Sequence, residues 1–227
     1  MLNGRERGRK LLFAAGLAAA LVLFVGGLAF AAAPIVGEAD NTFSTSTYAI
    51  DQGEVAQLQV NGSSHNATAN QNGPDGQALF RSPTISGGAT GVQGTQYLSA
   101  GDYAFFCTIH PTTMQATLHV TSAGAPQARP SAQLSVRSKK LAKVAKKGVL
   151  VAITTSAKVD GASLVAKLGK ATIGKIDGLS LAAGQQFATV KLSKAGKNKL
   201  KGKKKASIKV TATIPFGSPA TTKSKLT

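Results

Sequence analysis

Residues 114 to 120 read MQATLHV, with Met114, Ala116, Leu118 and Val120 on one side of a two-residue period and Gln115, Thr117 and His119 on the other. Side chains with that period line alternate faces of a strand, and a helix cannot gather them on one face. The same alternation appears in AQLQV, where Ala56, Leu58 and Val60 share a face. TYAIDQGEV before it reads as strand, Asp-Gln-Gly turn, strand. ALFRSPTISGGATGVQGTQYL gives further short strands broken by glycine. In YAFFC, Tyr103, Phe105 and Cys107 share one face, while Ala104 and Phe106 share the other. No useful helical period interrupts this stretch, so residues 42–122 are predicted to form an all-β module. PIVGEADN, residues 34–41, reads as a short connection leading into it.

AGAPQARP, residues 123–130, has the small residues and prolines of a linker. A second module is expected over 131–227. SAQLSVRS, GVLVAITTS, ASLVAKL, QQFATVKLS and ASIKVTATI are alternating or β-branched runs, and their spacing fits an immunoglobulin-like β-sandwich. Lys/Gly-rich stretches such as KAGKNKLKGKKK read as turns between them. SKKLAKVAKKG can form a short amphipathic helix with Leu141, Val144 and Ala145 on one face. The terminal TTKSKLT reads as frayed.

Charge divides the chain in the same places. Residues 1–33 carry four bases and one acid, residues 34–122 one base and six acids, and residues 123–227 twenty-two bases and two acids. The net charges are therefore +3, −5 and +20. The first segment has a basic start, MLNGRERGRK, and a 23-residue apolar run at 11–33. Ala29 and Ala31 offer a cleavage pattern, so this is a signal peptide, or an anchor if left uncut. Either way, residues 34 onward are expected outside the cytoplasm, in the periplasm, in the cell envelope or secreted. An exported chain with the single cysteine Cys107 forms no internal disulfide.

That cysteine sits in GDYAFFCTIHPTTM, within eight residues of His110 and Met114. Two imidazoles, a thiolate and a weak thioether are the ligand set of blue-copper electron-transfer sites. Thiolate and thioether favour Cu(I), and imidazole stabilises Cu(II), so a mixed rigid set serves both states. The fourth ligand comes from His65 or His119. His119 lies on the outward face of MQATLHV, whereas His65 lies in a loop able to close over the site, so His65 is assigned.

GDYAFFCTIHPTTM resembles the copper loop of the cupredoxins, the plastocyanin, amicyanin and pseudoazurin family, and VNGSSHN resembles their upstream His-Asn. The resemblance covers about residues 42–122. It implies a cupredoxin-like Greek-key β-sandwich binding one type 1 copper ion. It also implies His65, Cys107 and His110 as equatorial ligands and Met114 as the axial one. Asn66 and Thr108 match the family's polar pair beside the ligands, and Phe106 its outward aromatic. Electrons would pass by the edge of His110, or through Cys107 and Phe106. Three residues separate His110 from Met114, between the two and four seen in amicyanins and many plastocyanins.

The expected function is an exported single-electron carrier between unidentified redox donor and acceptor proteins, and not an enzyme. Three histidines are too few for a trinuclear copper cluster, and there is no His-Glu-x-x-His, Gly-x-Ser-x-Gly or P-loop. The alternatives are copper carriage without redox traffic, or a metal-free adhesion or structural module. The second module's lysines, with only Phe187 and Phe216 as aromatics beyond the linker, do not suit nucleic-acid readout. They suit an anionic envelope polymer or lipid surface, making that module a tether.

Overall fold

The computed structural model describes residues 34–227, and the expected signal or anchor segment lies outside them. No helix among the described residues is long and apolar enough to cross a membrane. The architecture is all-β, with two successive sandwiches, each having its own buried apolar cluster.

The first sandwich uses β1 (Ile35–Gly37), β2 (Thr47–Gln52), β3 (Gln57–Val60), β4 (Thr68–Ala69), β5 (Gly88–Gly91), β6 (Gly101–Phe106) and β7 (Gln115–Gly124). One sheet has the order β1-β3-β5 and the other β2-β7-β6-β4. Two pairs, β1 with β3 and β2 with β7, are parallel. The alternation read from the sequence is the observed burial: Leu58, Val60, Ala116, Leu118 and Val120 all face the core. At its centre the Phe105 ring lies 5.0 Å from Phe43, 6.2 Å from Tyr48 and 6.1 Å from Phe80. Phe105 thus fixes the strand that leads into Cys107. PIVGEADN is more than a connection. Ile35 is fully buried and pairs in register with Leu58, so the segment supplies an edge strand.

The second sandwich uses β8 (Ala132–Val136), β9 (Val149–Thr155), β10 (Val159–Leu168), β11 (Ala171–Leu181), β12 (Gly184–Val190), β13 (Ala206–Thr213) and β14 (Ala220–Leu226). A three-stranded sheet, β12-β9-β8, faces a four-stranded one, β11-β10-β13-β14. The chain changes sheet between β9 and β10, β11 and β12, and β12 and β13, as immunoglobulin-like sandwiches do. Helix α1 (Leu141–Lys147) forms in SKKLAKVAKKG, burying Leu141 and Val144, while Ala145 is only partly covered. A second helix, α2 (Lys194–Leu200), occupies a stretch that reads as turn in the sequence. Ser193 caps it by accepting from the Gly196 N–H at 3.0 Å, and Leu200 anchors it in the core. The C-terminus is not frayed either. TTKSKL lies in β14, paired along β13, with Leu226 fully buried.

The connecting segment is pinned along its length. Residues 123 and 124 still belong to β7, and Gln127 donates from its backbone to the Gln96 carbonyl at 2.8 Å. Phe216, in the β13–β14 turn, closes the junction. It holds a left-handed backbone, φ 62°, which costs a non-glycine residue roughly 1–2 kcal/mol. Its N–H donates to Asp75 Oδ2 at 2.9 Å, and its carbonyl accepts from Arg129 at 3.1 Å. The Arg81 guanidinium sits 4.2 Å from the ring centroid, a geometry attractive by the ring's electron-rich face. Gly94 makes room on another side, since a Cβ there would stand 2.9 Å from the ring.

Candidate metal centre

Cys107 follows directly on β6, and Met114 directly precedes β7, so the seven-residue CTIHPTT turn is held at both ends by a strand pair. Its own backbone closes it. Cys107 N–H donates to the Met114 carbonyl at 3.0 Å, His110 N–H to Cys107 at 3.2 Å, and Met114 N–H to His110 at 2.9 Å. His65 arrives from the other sheet's side, paired through both backbone groups with Ile85 at 2.9 and 3.0 Å.

The structure brings together His65, Cys107 and His110, whose donor atoms lie within 4.8 Å of one another. Cys107 Sγ is 4.0 Å from His65 Nδ1 and 3.9 Å from His110 Nδ1, and the two rings lie 5.1 Å apart between centroids. A first-row metal with N and S bonds of about 2.0 and 2.3 Å holds such donors about 3.5–3.9 Å apart, so these three fit one ion with little movement. His65 and Cys107 are fully buried, and His110 is partly exposed. Met114 is also fully buried, at the base of the same loop.

The tautomer of His65 follows from its outer hydrogen bond. Nε2 is 2.9 Å from the Glu38 carbonyl, which can only accept, so Nε2 carries the hydrogen. Nδ1 therefore keeps its lone pair, aimed towards Cys107. Gly37 permits this placement, because a Cβ there would come within 2.9 Å of the His65 ring. Neither residue was singled out in the sequence, since both lie in PIVGEADN. The apolar pair Ile35-Val36 followed by glycine was the available signal of a strand passing a crowded point.

Asn66 ties the two ligand loops together. Its Oδ1 accepts from Thr108 N–H at 2.9 Å, and its Nδ2 donates to Thr108 Oγ1 at 2.7 Å and Thr84 Oγ1 at 2.9 Å. Thr84 is a further unanticipated member. Such supporting bonds hold ligands in position, and losing one typically costs about 10–100-fold in metal affinity. Phe106 faces outward beside Pro111 and Gln115, in a shallow depression.

His119 stands apart. It pairs with Asp102 across the strands, Nδ1 to Oδ1 at 2.6 Å, with both side chains exposed. Four rungs separate it from the Phe106–Gln115 pair, about 14 Å along the sheet. His119→Ala should therefore leave metal uptake unchanged, whereas His65→Ala should abolish tight binding. Calorimetric titration with copper distinguishes them, and the reverse order would reassign the second imidazole.

No protein-family model matches the chain. No curated protein matches it either. Among solved structures it is similar to several variants of amicyanin. A reduced Cu(I) form shares 24% identity over 40% of this chain and 85% of that one, with a TM-score of 0.31. Another reduced variant shares 24% identity over 38% and 81%, and an oxidised one 23% over 38% and 81%, both with a TM-score of 0.31. A likeness at that score decides nothing about chemistry, and the case for a metal rests on the donor geometry.

Proposed function

We propose that this chain is a type 1 copper protein that carries single electrons. The observation that supports it best is the three-donor cluster of two imidazoles and one thiol, with a buried methionine at the same loop. Zinc accepts His and Cys equally well, but a thioether is a soft ligand that points to copper. Bound copper would supply a one-electron Cu(II)/Cu(I) couple.

The protein's part is to keep the donors still. His65 is oriented by the Glu38 carbonyl, Cys107 by the Asn66–Thr108 bonds, and Met114 by the closed turn. Full burial of three of the four excludes water, so no solvent ligand has to be gained or lost on electron transfer. His110 alone reaches the surface, beside Ile109, which is 45% exposed, and the exposed Pro111. That small apolar rim is where a redox partner would approach. Export, by the segment at 11–33, belongs to the same reading.

Copper(II)-loaded protein should be intensely coloured, with the narrow copper hyperfine splitting of a thiolate-bound trigonal site in electron paramagnetic resonance. A colourless complex with an ordinary tetragonal spectrum would rule out the type 1 assignment. A coloured site that exchanges no electrons with any small redox protein would favour copper carriage instead.

A further inference from the structure

The lysines of the second sandwich are not evenly spread. On the outer face of β10, β13 and β14, Lys167 stands directly opposite Lys209, and Lys209 directly opposite Lys223. All three are exposed, in adjacent strands about 4.8 Å apart. Like charges directly opposite on a sheet repel and destabilise it. No acid lies in this row. The module's two acids, Asp160 and Asp177, lie towards the other end of the sheet, paired with Lys158 and Lys175 at 3.0 Å each. Asp160 and the β13–β14 turn with Phe216 border one hollow at that end, so the neutralised end is the one docked on the first sandwich.

From the ladder the charge continues away from the junction. Lys225 occupies the next rung, opposite Ser207. Lys170 turns the β10–β11 corner, and Lys203 to Lys205 lead into β13. The α1 and α2 helices close this end, burying Leu141, Val144 and Leu200 and exposing their lysines. The basic surface therefore bends over an edge, from a sheet face onto an end cap. Among the described residues the exposed large apolar side chains are Ile109, Leu150 and Phe187, none of them on this edge. The β12-β9-β8 sheet, which carries Leu150 and Phe187, presents no lysine from its strands.

We propose that this lysine edge is the docking site of a flexible polyanion, a phosphate- or carboxylate-bearing chain of the kind found outside the cytoplasm. A flat bilayer meets one plane of such an edge, while a linear chain follows the ladder and turns onto the cap. Lysine suits it, because an ammonium binds successive anionic groups as a point charge without needing fixed bidentate geometry. The proposal is independent of copper.

The test compares two triple variants of the full chain with equal loss of charge. One is Lys167→Gln, Lys209→Gln, Lys223→Gln, and the other Lys158→Gln, Lys175→Gln, Arg137→Gln. The probes are long-chain inorganic polyphosphate and vesicles of equal parts phosphatidylglycerol and phosphatidylcholine. The ladder variant should lose about tenfold or more in polyphosphate affinity at low salt, with a shallower salt dependence, and the control much less. Its Tm should be unchanged or raised, since repulsion across the strands is relieved. Equal loss in both variants, or no polyphosphate binding by the unmodified chain, overturns the proposal. Tighter binding to vesicles than to polyphosphate also overturns it, in favour of a membrane surface.

Discussion

Cys107→Ser is expected to give a protein that folds but loses its visible absorption completely when copper is added. The band requires a thiolate sulfur beside the metal, and Cys107 is the only cysteine in the chain. Serine nearly matches it in size, and its hydroxyl would stand where Sγ lies 4.0 and 3.9 Å from two imidazole nitrogens. Copper affinity should fall by more than the about 10–100-fold that loss of a mere supporting bond costs. Phe105 and the Asn66–Thr108 bonds still hold the loop, so the thermal midpoint of the metal-free protein should move by only a few degrees, about 1 kcal/mol in a domain of this size. Optical titration and calorimetry on the same sample check both parts. Retained colour would mean that the chromophore is elsewhere.

The second large effect concerns the junction. Asp75→Ala should destabilise the protein by about 2–3 kcal/mol, because it strands the Phe216 N–H and removes the partner of Arg81. The Asp75 side chain is 1% exposed. Burial alone would raise its pKa, but the Phe216 and Gln77 N–H groups and Arg81 outweigh it and hold it below the ordinary carboxylate value. A depressed carboxylate contributes fully above its unfolded pKa, about 3.9, and its contribution is lost as pH falls through the lower folded value. The stability gap between wild type and Asp75→Ala should therefore be constant near neutrality and narrow below about pH 3.9. Denaturant unfolding across pH measures it. A gap that persists unchanged in acid would show that the carboxylate's charge is not what secures Phe216. Copper binding should be the same in both proteins, since Asp75 bonds Gln77, Arg81 and Phe216 and none of the groups that position His65, Cys107 or His110.

The cluster was legible because its members are chemically rare here and three fall within eight residues. His65 could be chosen over His119 because strand alternation sends His119 outward, where it meets Asp102. What escaped were groups whose identity carries no signal. The Glu38 carbonyl exists at every residue, and Gly37 matters only because the His65 ring passes over it. Helix α2 was hidden by a lysine-rich composition that resembles a turn, though Ser193 and Leu200 mark its ends. The hold on Arg129 comes in part from Phe216, nearly ninety residues later, and no local pattern announces a contact so distant in sequence.

A side chain seated like Phe216 fixes orientation as well as position. With its ring clamped by Arg81 and its two backbone groups bound to Asp75 and Arg129, the two sandwiches should share one rotational correlation time. A layer of such molecules captured by their lysine edges would then be aligned rather than splayed. Each would present the His110 rim at the same tilt, so interfacial electron exchange would show a single rate constant in place of a spread.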